Sequence, residues 1–416
     1  MRIAVVGAGV SGLVAAYLLE REHHEVTVFE AGSKPGGHTN TIRVDTEDET
    51  HYVDTGFIVF NDRNYPNFER LLSRLGVAGQ PSQMSFGVSD ATGEFEYSSV
   101  SANGLFATRA NLVSPRFHRM LADVRRFQRE ARELLMGNGG DPSLGEWLER
   151  LRFSRLFIDG VIVPQASAVW SADPRQMWTF PARFLAGFFE NHGMLHLRDR
   201  PNWRTVSGGS HTYVHALTAS YADRIRVSTP VHAIARHEGH VSITPRGGQP
   251  ESYDQVIIAA HSDQALRMLA DASDREHEIL GAIPYQPNEA VLHTDTRLLP
   301  RRRRAWASWN YHLGGEPCGR TRVTYHMNRL QTLHADREFC VTLNRGEAID
   351  PDKVIRTIEY DHPVYTSGGA LAQKRHEEIS GTGRTHYCGA YWGWGFHEDG
   401  VLSALKVCEK LGARLA

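Results

Sequence analysis

The sequence predicts an α/β protein in which a nucleotide-binding fold, assembled from separated stretches of chain, carries an inserted α+β domain. Three observations support that expectation. A β-α-β pattern begins at residue 2, and its turn reads Gly7-Ala8-Gly9-Val10-Ser11-Gly12. The same character returns near Gly208, followed by four short β-like stretches. A last strand, a glycine-aromatic loop and a helix then occupy residues 385–411. At 416 residues the chain exceeds what one hydrophobic core usually organises, which suits two domains.

Each element follows from pattern. Residues 2–6 are an unbroken apolar run, read as a buried strand, and 11–22 form a helix with Leu13, Tyr17 and Leu18 inward. Residues 25–30 alternate and are β-branched, a second strand. A short β excursion follows at 40–44 and 51–53. Residues 64–75 read as a helix closed by Gly76; Ser114 as cap and Pro115 in the first turn open a long helix to Met136. Further helices are predicted after Ser143 and after Asp173. Residues 210–221 read as helix, and 225–228, 231–235, 240–244 and 255–260 as strands. Strands at 288–294, 304–310, 321–326 and 339–343 are expected to form a separate sheet. The chain closes on a strand at 385–388 and a helix over 398–411 ended by Gly412. The expected division is 1–60, 205–272 and 365–416 for the nucleotide fold, with 61–204 and 273–364 as the substrate domain.

Composition excludes several classes. A net charge of −2 supplies no field that would recruit nucleic acid. Cys318, Cys340, Cys388 and Cys408 lie far apart, so neither a disulfide framework nor a zinc site is expected. The 22 histidines show no metal-ligand spacing. With no charged leader and cleavage pattern at residue 1, a cytoplasmic protein is expected.

The glycine turn carries the chemistry. Gly7 permits a tight turn, Gly9 lets backbone approach a pyrophosphate, and Gly12 lets helix and strand pack closely, the Rossmann-like arrangement. Free N–H groups of Val10 and Ser11 at the helix start then face the phosphates. Glu30 ends the second strand, placed to accept from a ribose 2′-hydroxyl. FAD rather than NAD is indicated by Ala31-Gly32-Ser33-Lys34-Pro35-Gly36-Gly37-His38-Thr39, a second glycine turn directly after the acid. Gly36 and Gly37 bring more backbone against the same diphosphate.

These residues resemble the FAD signature shared by monoamine oxidases, protoporphyrinogen oxidases and phytoene desaturases. The resemblance implies a flavin-dependent oxidoreductase whose cofactor domain is of the glutathione reductase/amine oxidase type. That signature commonly has arginine where this chain has His38, and a neutral imidazole is a poorer anion partner. The stretch Cys388-Gly389-Ala390-Tyr391-Trp392-Gly393-Trp394-Gly395-Phe396-His397-Glu398-Asp399-Gly400 is similar to the family's last FAD motif. It implies that Gly389, Trp392 and the backbone of the helix start at His397, Glu398 and Asp399 meet the flavin, while the two acid side chains read either as part of that contact or as first-turn acids that favour the helix. Val231 is implied on the adenine side, and Ala259 on the strand that returns to the cofactor.

A narrower resemblance covers Asp54-Thr55-Gly56-Phe57-Ile58-Val59-Phe60-Asn61, residues 202–210 and the last motif. They resemble bacterial NAD/FAD-binding proteins related to the N-terminal module of plant cyclopropane fatty acid synthases. Gly56 and Phe57 join the cofactor set on that basis. The resemblance implies an acyl-lipid or other hydrophobic substrate and a cyclopropane-synthase-like methyltransferase partner.

Catalytic residues are thinly signalled. Many amine oxidases hold a water with a lysine, yet no lysine lies between Lys34 and Lys353. Acid–base candidates are His293 and Asp295 at a strand end, and His362 shortly before the last motif. The apolar stretch 178–189 reads as an acyl tunnel, a peripheral membrane contact or plain core. Arg301–Arg304 reads as a solvated turn or a lipid-phosphate site. The expected activity is hydride transfer from a hydrophobic substrate to flavin. Amine oxidation with peroxide release, redox-neutral isomerisation or hydration, and a silent partner of the methyltransferase are the alternatives.

Overall fold

The computed structural model describes residues 1–47, 49–196, 200–314 and 319–415. Cys318 lies outside them; the other three cysteines are buried and unpaired by disulfide. The chain has a mixed α/β fold. A five-stranded parallel sheet runs in the order Ile225–Arg226, Glu25–Phe29, Arg2–Val6, Gln255–Ile258, Thr385–Tyr387. Its strands come from three distant stretches of chain. The reason is chemical: Ile3, Ala4, Val5 and Val6 are almost wholly buried, and a central parallel strand needs neighbours on both edges. Helices Val10–Arg21 and His397–Lys410 pack on one face. The antiparallel meander Val231–Arg236, Val241–Pro245, Glu251–Tyr253 packs on the other.

A buried ion pair ties that meander down. Arg236 grips Glu276 through both guanidinium nitrogens, at 2.6 and 3.0 Å. Glu276 also accepts from the Tyr387 hydroxyl at 2.6 Å and from the Ser273 N–H and hydroxyl at 2.8 Å. Burial alone would raise this carboxyl, but the hydrogen bonds outweigh it and hold Glu276 at about 2.

The second sheet has seven strands, ordered Val354–Pro363, Tyr285–His293, Cys340–Leu343, Val323–His326, Trp309–Leu313, Phe86–Asp90, Glu96–Ser98. Only Trp309–Leu313 and Phe86–Asp90 pair parallel. Helices Pro115–Met136, Val163–Trp170 and Ala182–Asn191 cover it. The long helix starts as its sequence requires, with the Ser114 hydroxyl accepting from the Phe117 N–H. One turn of π-helix, Ile158–Ile162, precedes Pro164, whose missing N–H the wider turn accommodates. No described helix is long and apolar enough to cross a membrane.

Two predicted elements differ. The strand expected at 304–310 begins only at Trp309. The backbone N–H groups of Arg301 and Arg302 both donate to Glu96, curling the chain before it. The helix expected after Asp173 is a short 3₁₀ turn, and Pro181 restarts the helix as Ala182–Asn191. The four arginines make contacts within the protein: Arg301 donates to the Ala91 carbonyl, Arg302 pairs with Glu96, Arg304 donates to the Ala107 carbonyl, and Arg303 lies over Trp306.

Candidate functional site

A cavity of about 2120 Å³ opens between the two sheets. That is more than twice the volume of an ordinary small-molecule pocket, about 300–1,000 Å³. One end is walled by glycine backbone at the C-terminal edge of the parallel sheet, where open α/β folds bind ligands. Gly7, Gly9, Val10 and Ser11 line it from the first turn, and Ala31, Gly36, Gly37 and His38 from the second. Gly36 and Gly37 have φ of 127° and 56°, left-handed conformations that glycine adopts freely. A β-carbon on Gly37 would lie 3.1 Å from the Gly9 Cα, so the two turns abut. Gly12 lies below the wall, where a β-carbon would meet the Gly7 carbonyl oxygen at 2.0 Å. Gly56, Phe57, Val231 and Ala259 also line the cavity.

Glu30 lines the same wall. Its two carboxylate oxygens accept the backbone N–H groups of Ala8 and Gly32, each at 2.7 Å. These bonds orient the acid while leaving a lone pair on each oxygen for a hydroxyl.

The far end of the sequence closes the wall. Gly400, in the first turn of His397–Lys410, admits no side chain: its β-carbon would be 2.7 Å from Val10 Cγ1. Gly389 and His397 line the cavity, but four other residues implied there do not. Glu398 turns away and caps helix Pro66–Leu75, accepting the N–H groups of Asn67 and Phe68 at 3.1 and 2.9 Å. Asp399 turns under its own loop and accepts the Phe396 N–H at 2.9 Å; burial pushes its carboxyl up to about 7. Trp392 packs edge-on against His376, ring centres 4.5 Å apart. Thr39 is buried behind the wall, bonded to the Tyr213 hydroxyl at 2.6 Å and His397 Nε2 at 3.1 Å. First-turn acids are drawn to nearby backbone N–H groups, and here each found one inside the protein.

Of the three acid–base candidates, one reaches the cavity. His293 is fully buried in the second sheet, bonded to the Thr342 hydroxyl at 2.7 Å. Asp295 is locked to Arg297, whose hydrogen bonds hold its carboxyl far below the usual range. Neither lines the cavity, and both are structural. His362 does line it, and two histidines stand beside it. The His38 ring lies 5.3 Å from His362, 6.3 Å from His261, and stacks on Tyr360 at 4.9 Å. Burial first, then the neighbouring histidines, keeps His38 well below its ordinary value, so it offers no cation to a phosphate. Burial and His261 likewise push His362 down to about 4.

His261, Tyr285 and Tyr360 complete this cluster and were not foreseen. His261 had a readable signal, since it sits just past a parallel strand at its ligand-binding end. Tyr360 and His362 share one face of a strand by its two-residue period, but that strand itself had gone unread. Among the described residues, no set of histidines and acids could hold a metal ion.

Another part of the cavity wall is an apolar arm. Leu121, Val124 and Phe127 line it from the long helix, and Val161 and Ile162 from the π turn. Phe86, Trp309 and Tyr325 close it from the sheet. The apolar stretch 178–189 resolves here: Phe180, Ala182 and Leu185 are core, while Phe188 and Phe189 end in the cavity wall. Trp178 and Phe184 are partly buried and pack against the core.

A model of flavin containing amine oxidoreductases matches residues 10–324. A Mycobacterium tuberculosis protein that carries the name of a flavin-containing monoamine oxidase is 27% identical over 266 residues. That match covers 62% of this chain and 56% of the relative, so the chain spans little more than half of its length. A cyclohexylamine oxidase from Brevibacterium oxydans superposes with a TM-score of 0.72 at 16% identity, covering 99% of both chains. A fatty acid isomerase from P. acnes superposes with a TM-score of 0.69 at 15% identity, covering 98% of both.

Proposed function

The chain belongs to the flavin containing amine oxidoreductase family, whose cofactor is FAD, and from that premise we propose an oxidoreductase that takes hydride from a long hydrophobic, acyl-type substrate. The cavity fits FAD. Gly9 lines it with no atom within 4 Å of where its β-carbon would stand, and the free N–H groups of a helix start lie beside it. FAD, when bound, supplies the hydride acceptor.

One observation supports the substrate class: the apolar arm is continuous with the glycine-walled end. An extended chain held by Leu121, Phe127, Val161 and Phe189 loses water along its length, and each buried methylene contributes about 0.8 kcal/mol. Among the described residues, those lining the cavity include no lysine. The histidine cluster supplies polar groups to the same cavity.

Flavin-loaded protein incubated without oxygen with long-chain fatty acids and phospholipids should lose its visible flavin absorbance, and the lipid should lose two hydrogens by mass. Val161→Trp, which fills the arm, should keep the flavin spectrum and weaken fatty-acid binding at least tenfold. Bleaching by simple amines, with lipids inert, would overturn the reading. The isomerase neighbour favours a second reading, a redox-neutral reaction on a similar chain. It requires product of unchanged mass and activity only after the flavin has been reduced. A cytoplasmic location and a methyltransferase partner belong to the same proposal, and co-purification of the two proteins tests the latter.

A further inference from the structure

The hydrogen on His362 can be placed by following hydrogen bonds back to backbone groups of fixed polarity. The Glu289 N–H can only donate, and it meets the side-chain oxygen of Asn344 at 3.0 Å. The Thr321 carbonyl can only accept, and it meets Asn344 Nδ2 at 2.9 Å. These two contacts set the orientation of the Asn344 amide. Asn344 sits at φ 54°, a left-handed conformation that asparagine tolerates. Its Nδ2 also donates to Asn288 Oδ1 at 2.7 Å. Asn288, fully buried, must therefore turn its NH₂ the other way. There it donates to the Gln286 carbonyl at 3.3 Å and to His362 Nδ1 at 3.0 Å. A ring nitrogen that receives an amide N–H must offer a lone pair. So His362 Nδ1 carries no hydrogen, and the neutral ring carries it on Nε2.

We infer that His362 is a locked neutral Nε2–H donor at the cavity wall, serving an acceptor atom of the bound molecule rather than acting as a general base. Asn288 and Asn344 are its positioning residues. The acceptor is an oxygen or nitrogen of the flavin ring, or a carbonyl or carboxylate oxygen of the substrate. Protonating Nδ1 would set its hydrogen against the Asn288 amide, and rotating Asn288 would break its bond to Asn344. The ionisable rings around it agree: His38 from the glycine turn, His261 beyond the parallel strand, and Tyr360 two residues back on its own strand. Two are histidines that disfavour another positive charge, and the third is a neutral phenol.

The role in substrate binding rests on the function proposed above; the tautomer does not, and a spectrum taken without substrate separates the two. Protein labelled with ¹⁵N-histidine and loaded with FAD, with His362 assigned by its loss in His362→Gln, is the sample. Its long-range ¹H–¹⁵N spectrum should show a lone pair on Nδ1 and hydrogen on Nε2, unchanged between pH 8 and about 5.5. Asn288→Asp, which turns an acceptor toward Nδ1, should move the hydrogen there and raise the ring's pKa by at least a unit. Hydrogen on wild-type Nδ1, or titration near the ordinary histidine value, overturns the inference whether or not the variant folds. Adding FAD to the apoprotein, then dodecanoate to the loaded protein, identifies the acceptor by which addition shifts Nε2. A shift on neither addition overturns the donor role.

Discussion

Replacing Gly9 by valine is expected to give a folded protein that no longer retains FAD, with affinity at least 100-fold weaker, roughly 2.7 kcal/mol. Gly9 caps helix Val10–Arg21 at φ −74° and ψ 180°, extended backbone that any residue can adopt. A β-carbon there meets no protein atom within 4 Å beyond its chain neighbours, and Gly9 lines the cavity where the diphosphate must approach the helix N–H groups. Stability of the apoprotein should therefore change by less than about 1 kcal/mol. Gly12→Val makes the contrast. There the β-carbon meets the Gly7 carbonyl oxygen and Ala259, inside the seam between helix and sheet, so soluble protein should not form. Equilibrium dialysis with FAD and thermal melting of both variants check the pair. Wild-type FAD affinity in the Gly9 variant would remove the glycine wall from the cofactor site.

The second large effect concerns stability. Arg236→Met strands the Glu276 carboxylate, only 2% exposed, without its cation, and should cost about 3–5 kcal/mol. The pH dependence should also change sign. In the wild type the folded pKa of about 2 lies below the unfolded carboxyl value of 4.5. That contribution is complete above about pH 4.5 and drains away as pH falls toward 2, amounting to about 3 kcal/mol. In the variant the buried acid prefers its proton, so mild acid should stabilise rather than destabilise. Melting temperatures between pH 7 and about 4 distinguish the two slopes. Parallel slopes would mean that the ion pair is not formed in solution.

What the sequence made legible follows from what kind of physics each feature needs. The glycine turns, Glu30 and the long helix from Ser114 are local: a left-handed φ, a cap or a close approach is written in adjacent residues. Side-chain destinations at the last motif are not local. The motif leaves Glu398 and Asp399 open between facing the cofactor and favouring their own helix, and one of them caps a helix that begins over 300 residues earlier in the chain. His293 and Asp295 stand at a strand end as acid–base candidates, but strand pairing buries His293 against Thr342, and Asp295 is held by Arg297 in the turn that follows. The edge strand Val354–Pro363 was missed because its charged, largely exposed residues hide the alternation, and the polar cluster containing His362 and Tyr360 was hidden with it. Asn288 acquires meaning only through two residues distant in sequence, Asn344 and His362.

The seam between Gly400 and Val10 bears on how the living cell makes this flavoprotein. A ribosome delivers the first glycine turn well before the distant loop that packs against it. Throughout elongation the nascent Rossmann half presents an open edge and an incomplete cradle. Prosthetic-group capture thus waits for that loop, and flavin starvation should leave molecules that are readily degraded.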